Sequence, residues 1–265
     1  MDKEIYNKII AKKEFSQLPK KDVELAFFKF DIKDYLDEEK IKLTRELLMK
    51  TFSVFASAKL LNIKDKDTIW LLKRHASTRE RFEFYPDLYK RIFKNTKDKF
   101  TIFDLGAGMN GLSYGFFPDK LDFDYIGIEA MGQLVDLANY HFKTCGIENF
   151  LALHFSLFEL EKIKKYLKQV KGTKIVFLFK ALDSLEMLER NYSKKLLLEI
   201  VPLVDTLSEH KNLSRGKVVV SFATRSLIKK EKFKANKKWL VEFINENFKV
   251  IEDFELGGER YLSFR

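Results

Sequence analysis

The chain of 265 residues carries 49 Lys and Arg against 39 Asp and Glu, a formal charge of +10, with 46% hydrophobic and 33% charged residues. Its 11 Gly and 4 Pro are too few for a disordered or fibrous chain, no apolar run approaches the ~18 residues of a membrane span, and MDKEIYNKII has no signal-peptide pattern, so a soluble cytoplasmic protein is expected. The single Cys145 excludes an internal disulfide, and His75, His141, His154 and His210 lack metal-ligand spacing, so no metal is expected.

The first part reads as helical. In KDVELAFFKF (21–30) and EEKIKLTRELLMKTFSVFASAKLL (38–61) apolar residues recur three and four apart with charges between, as amphipathic helices require. A turn-rich piece, LNIKDKDTIW, leads into LLKRHASTRERFEFYPDLYKRIF (71–93), whose later part puts Leu88, Ile92 and Phe93 on one helical face. The polar hinge KNTKDK then marks a boundary near residue 97, between a small helical domain (1–97) and a second domain (98–265) on which the last of these helices is placed to pack. Of the net charge, +7 falls on residues 1–97 and +3 on 98–265. A basic domain beside a nearly balanced one suggests a polyanion docked by the first and modified by the second.

From residue 100 the order alternates. FTIFDL (100–105), DYIGIE (124–129), FLALHF (150–155), KIVFLFK (174–180) and KVVVSFA (217–223) read as strands. They are followed in turn by a glycine turn with a helix, and by helices over 131–145, 158–170, 184–207 and 237–248. Gly146 reads as a helix C-cap and Cys145 as a packing residue beside it. KVIEDFELGGERYLSFR closes the chain as an antiparallel hairpin through Gly257 and Gly258. This is an α/β pattern, a parallel sheet ending in a hairpin with a Rossmann-like order, and it places a ligand at the carboxyl ends of the first strands.

The stretch FDLGAGMNG (103–111) puts Asp104 at the end of the first strand, ahead of Gly106, Gly108 and Gly111, with Glu129 ending the next strand. The glycine spacing and the acid about 20 residues on suit a dinucleotide. A carboxylate in the turn before a helix works against a pyrophosphate, whereas S-adenosylmethionine (SAM) presents a sulfonium and an ammonium that the same acid favours. The pattern therefore favours SAM, the bland alternative being a glycine turn that merely joins strand to helix.

Three further segments, HASTRER (75–81), LFKAL (178–182) and VSFATRSL (220–227), taken with DLGAGMNG, resemble the aminoglycoside-resistance 16S rRNA methyltransferases that modify guanine N7 in the decoding site. The resemblance runs from about residue 70 to the C-terminus and implies a class I SAM-dependent methyltransferase domain after a small basic helical domain. It implies SAM as cofactor and the small ribosomal subunit rRNA as partner, with a monomer expected. It places His75, Ala76, Ser77, Thr78, Arg79, Glu80 and Arg81 in the cofactor pocket, with Asp104, Gly106, Ala107, Gly108, Glu129, Ser156, Leu157, Lys180 and Ala181. Arg79 or Arg81 could pair with the SAM carboxylate, while the competing reading is a helix cap of Ser77 and Thr78 completed by Glu80. Lys180, Thr224, Arg225 and Ser226 are the candidates for positioning RNA or its target base.

The chain departs from the family where an acid normally follows the third strand to hold the adenine amine, since Phe155 and Ser156 stand there. Asp183 stands where the family often has Pro, as does Ala223, and the glycine-rich continuation becomes Ile228-Lys229-Lys230. Guanine N7 has an in-plane lone pair and no proton to lose, so its methylation needs positioning rather than a general base. Methylation of another RNA such as tRNA, or a non-catalytic ribosome assembly role, are the other readings.

Overall fold

The computed structural model describes residues 1–32, 34–53, 66–96, 98–204, 215–224 and 237–265. Phe100–Leu105 (β1) is buried along its whole length, which its near-continuous apolar run requires, and it is flanked by parallel neighbours on both sides. These are Phe123–Glu129 (β2) and Thr173–Phe179 (β4). Phe150–His154 (β3) extends the sheet beyond β2, and Lys217–Ala223 (β5) extends it beyond β4, both parallel. The closing strands Val250–Leu256 (β6) and Glu259–Phe264 (β7) run antiparallel, giving the order β3-β2-β1-β4-β5-β7-β6. The chain moves outward from β1 to β3 and then restarts at β4, so a crevice opens at the carboxyl ends of β1 and β4.

The α-helices, in chain order, are Lys3–Ile10 (α1), Lys20–Asp31 (α2), Asp37–Leu48 (α3), Thr68–Arg74 (α4), Ala76–Arg81 (α5) and Tyr85–Ile92 (α6). Gly132–Thr144 (α7), Leu160–Gln169 (α8), Ala181–Leu188 (α9), Tyr192–Val204 (α10) and Lys238–Asn247 (α11) follow. Three expected helices are shorter or broken, each for a local reason. The run expected from residue 38 leaves α-geometry after Leu48 for a π turn at Met49–Ser53, and its expected continuation over 54–61 lies outside the described residues. The run from 71 breaks at His75, whose extended ψ of 126° separates α4 from α5. The helix expected from 184 splits between α9 and α10 because Asn191 adopts φ 66°, and the Glu186 carboxylate accepts from the backbone N–H of Asn191 and of Ser193 to cap the restart. The helix expected after the glycine turn is a 3₁₀ run, Asn110–Phe116.

Leu88, Ile92 and Phe93 are buried, and the Phe93 ring lies against Phe100 of β1 and Phe177 of β4. The first helices close over the carboxyl end of the sheet. Gln133 at the start of α7 donates to the Lys13 carbonyl at 2.8 Å, and Ser184 of α9 donates to the Thr51 carbonyl at 3.1 Å. One buried apolar cluster runs from Ile9 through the sheet to Phe264. Cys145, expected to pack, is exposed at the end of α7, while Gly146 takes the φ of 69° that its C-cap position needs. Among the described residues no helix is long and apolar enough to cross a membrane.

Candidate functional site

A cavity of about 800 Å³, its open mouth included, lies at the carboxyl ends of β1, β2 and β4. The β1 loop, the ends of β2 and β4, the turn after β3, α5 and the first helices all contribute wall.

Asp104 faces the cavity and is 1% exposed. Asn110 Nδ2 and the Tyr125 hydroxyl donate to its Oδ2 at 2.8 and 2.9 Å, whereas Oδ1 receives no hydrogen bond among the described residues. Asn110 is itself held by the Tyr85 hydroxyl, which donates to Oδ1 at 3.0 Å. Burial pushes the Asp104 carboxyl up to about 6, against the pull of Asn110 and Tyr125. A buried carboxylate with one uncommitted oxygen is built to receive a cation.

The glycine loop does not cradle a phosphate. Gly106 and Ala107 both donate their N–H to the Ile128 carbonyl, Gly108 donates to Glu129 Oε2 at 2.8 Å, and Asn110 donates to the Ala107 carbonyl. With these donors committed and a 3₁₀ run in place of an α-helix N-terminus, little remains to attract a pyrophosphate. The glycines are required by geometry instead. Gly106 and Gly108 have φ of 78° and 50°, and a Cβ on Gly108 would lie 2.8 Å from the His75 ring. Glu129 is anchored at both oxygens, Oε2 by Gly108 and Oε1 by the Met131 N–H at 2.8 Å. Each oxygen keeps a further lone pair for a ligand hydroxyl.

Helix α5 brings His75, Ser77, Thr78 and Arg81 to the wall. Arg81 is 3% exposed, its Nη2 lies 3.0 Å from Glu259 Oε1, and its guanidinium sits over the Phe179 ring at 4.9 Å. Nη2 makes no directed hydrogen bond, and the buried Ser77 Oγ also lacks a partner among the described residues. Arg79 is exposed and does not line the cavity, so of the two arginines only Arg81 reaches it. The capping alternative is overturned: no side chain caps α5, Thr78 Oγ1 donates to the Leu72 carbonyl, and Glu80 turns to Lys180. Burial, reinforced by Arg81 and Lys180, lowers the His75 imidazole to about 3, so it is neutral.

Lys180, with φ 57°, caps α9 and pairs with both Glu80 and Glu259. Burial favours protonation of Glu259, but Arg81 and Lys180 outweigh it and hold the carboxyl below its usual value. Ala181 and Leu157 line the wall, while Ala76 and Ser156 do not. The Ser156 hydroxyl accepts from the Phe158 N–H at 3.0 Å within its own turn. Thr224 ends β5 away from the cavity and donates to Glu255 Oε1 at 2.8 Å. Arg225 and Ser226 lie outside the described residues.

The whole chain overlays three solved structures. The 16S rRNA methylase RmtB matches with TM-score 0.72 and 16% identity, covering 99% of this chain and 97% of that one. The 16S rRNA methyltransferase RmtF, in complex with S-adenosyl-L-homocysteine, gives 0.73 and 17% over 100% and 99%. An rRNA methylase from Escherichia coli gives 0.71 and 17% over 99% and 98%. The fold is that of the 16S rRNA methylases. No protein-family model and no curated protein sequence matches the chain. In this methylase fold, sequence reasoning singled out Asp104 and Glu129 but not Glu259, Asn110, Tyr125 or Asp22. Glu259 meets Arg81 across 178 residues of chain, and no local spacing signals that pairing. Among the described residues no group of His, Cys, Asp and Glu is arranged to hold a metal.

Proposed function

We propose that the protein is a SAM-dependent methyltransferase of small-subunit 16S rRNA, acting at guanine N7. The observation that carries this is the buried Asp104 carboxylate, with Oδ1 uncommitted and turned to the cavity beside a glycine loop whose N–H groups are already used. That combination repels a pyrophosphate and fits a ligand bearing an ammonium and a sulfonium. The fit extends along the wall. Arg81 Nη2 and Ser77 Oγ, buried without directed partners, would take the carboxylate, and Glu129 the ribose hydroxyls. When bound, SAM supplies an electrophilic methyl group on sulfur.

The rest of the reaction falls to positioning. His75 is neutral and buried, and Lys180 is ion-paired twice, so neither is poised to accept a proton. Guanine N7 requires no such acceptor, because the lone pair that attacks the methyl carries no proton. The basic helical part, residues 1–97, would dock rRNA by shape and phosphate charge, and Arg225 and Ser226 are the proposed contacts of the target base. Presentation of a stacked base would cost roughly a few kcal/mol of unstacking.

The test is methyl transfer from labelled SAM to purified small subunits, naked 16S rRNA and tRNA, with the label mapped by borohydride and aniline cleavage. Label at a guanine N7 of the small-subunit RNA is expected. Label only in tRNA, or at another atom, would overturn the assignment. No transfer to any RNA, together with no SAM binding at millimolar concentration, would favour an assembly factor with a decayed cofactor site.

A further inference from the structure

Three residues that line the cavity each carry a buried polar atom that makes no hydrogen bond among the described residues: Arg81 Nη2 (ion-paired with Glu259), Ser77 Oγ and Asp22 Oδ2. The first two belong to α5 and Asp22 to α2. Asp104 is influenced by the charges of Arg81 and Glu129, and Asp22 by those of Glu129 and Glu159.

Asp22 sits in the first turn of α2 and is 2% exposed. Burial raises its carboxyl to about 7, with the Ser156 side chain and its own backbone opposing the rise and Glu129 and Glu159 adding to it. Its Oδ2 accepts no hydrogen bond among the described residues, and an unsatisfied buried carboxylate oxygen destabilises the empty protein. Met131, Leu134, Leu157 and Phe158, all apolar, line the same cavity. Ser156, standing where an acid is expected after the third strand, accepts from the Phe158 N–H and keeps its own O–H for the Asp22 carboxyl.

We propose that Asp22, a residue of the first helical part, accepts a hydrogen bond from the exocyclic amine of the cofactor's adenine and so sets base selectivity. The assignment rests on the SAM reading. It makes the cofactor a bridge: the sheet holds its amino-acid end and ribose, and α2 reads its base. An analogue with a carbonyl at that position sets oxygen against oxygen and is rejected.

Calorimetric titration of the full-length protein with S-adenosylhomocysteine and with S-inosylhomocysteine tests this. Wild type is expected to prefer the adenine compound by about 100-fold. Asp22→Asn, isosteric and able to donate to the carbonyl, should bring the two within about threefold. An undiminished preference in a folded Asp22→Asn protein overturns the role of Asp22 and leaves the SAM reading intact. Binding of neither compound by wild type removes both. If Asp22→Asn does not fold, the wild-type preference is measured from pH 5.5 to 8.5. Asp104 faces the same amino-acid group in both compounds and cancels from the ratio, as does Glu129 at the ribose, while Glu159 meets neither ligand. The preference should collapse below about pH 7 as Asp22 takes up a proton, and a preference independent of pH refutes the proposal.

Discussion

Asp104 and Glu259 are both buried acids beside the cavity, and their surroundings push them in opposite directions. Burial raises Asp104 to about 6 from 3.8, so ionising it in the empty protein between those values works against the folded state. A cation at Oδ1 favours the ionised form. SAM affinity should therefore climb by up to about tenfold per pH unit until about pH 6, and Asp104→Asn should remove that limb and leave the one Asp22 contributes near pH 7. Titrations from pH 5 to 8 check this. Glu259 stands the other way, offsetting Arg81 and Lys180 at side-chain exposures of 4%, 3% and 12%. Glu259→Gln strands an inward-facing guanidinium and should cost about 3–5 kcal/mol in urea unfolding. The double variant Arg81→Met with Glu259→Gln should cost less than Glu259→Gln alone, since no buried charge is then left unpaired.

At the scale of elements, the strands were legible because each is a continuous apolar run bounded by polar turns, and β1 and β5 occupy the stretches read from sequence, 100–105 and 217–223. Helix continuity was not legible. Apolar periodicity passes unbroken through His75 and Asn191, where one backbone angle ends the helix. The site divides likewise. Asp104, the glycines and Glu129 were readable since a short loop and one strand crossing bring them together, whereas Asp22 reaches the same cavity, and Glu259 reaches Arg81 in its wall, through distant elements. The glycine loop offers its own test. In Gly108→Ala a Cβ at φ 50° would press on the His75 ring, so stability should fall by about 1–3 kcal/mol and SAM affinity with it, as read by thermal melting with and without SAM.

In the whole molecule, the proposed division of labour is between a basic helical front that docks RNA and a cavity that this front helps to roof. Lys12, Lys29, Lys42 and Lys50 are exposed on that front. Reversing them to Glu should weaken rRNA binding while SAM affinity stays unchanged. The slope of log affinity against log salt should flatten by about 0.7–0.9 for each phosphate that the front no longer neutralises. An equal fall in both affinities would show that the division is wrong. The central claim is that the cavity is a SAM site selected by Asp104. Calorimetric titration of wild-type protein and Asp104→Ala with SAM, using NAD as the competing ligand, tests it most directly. Saturable one-to-one binding of SAM to wild type is predicted, with its loss in a folded Asp104→Ala protein and no binding of NAD. Absence of SAM binding at millimolar concentration, or a preference for NAD, would contradict it.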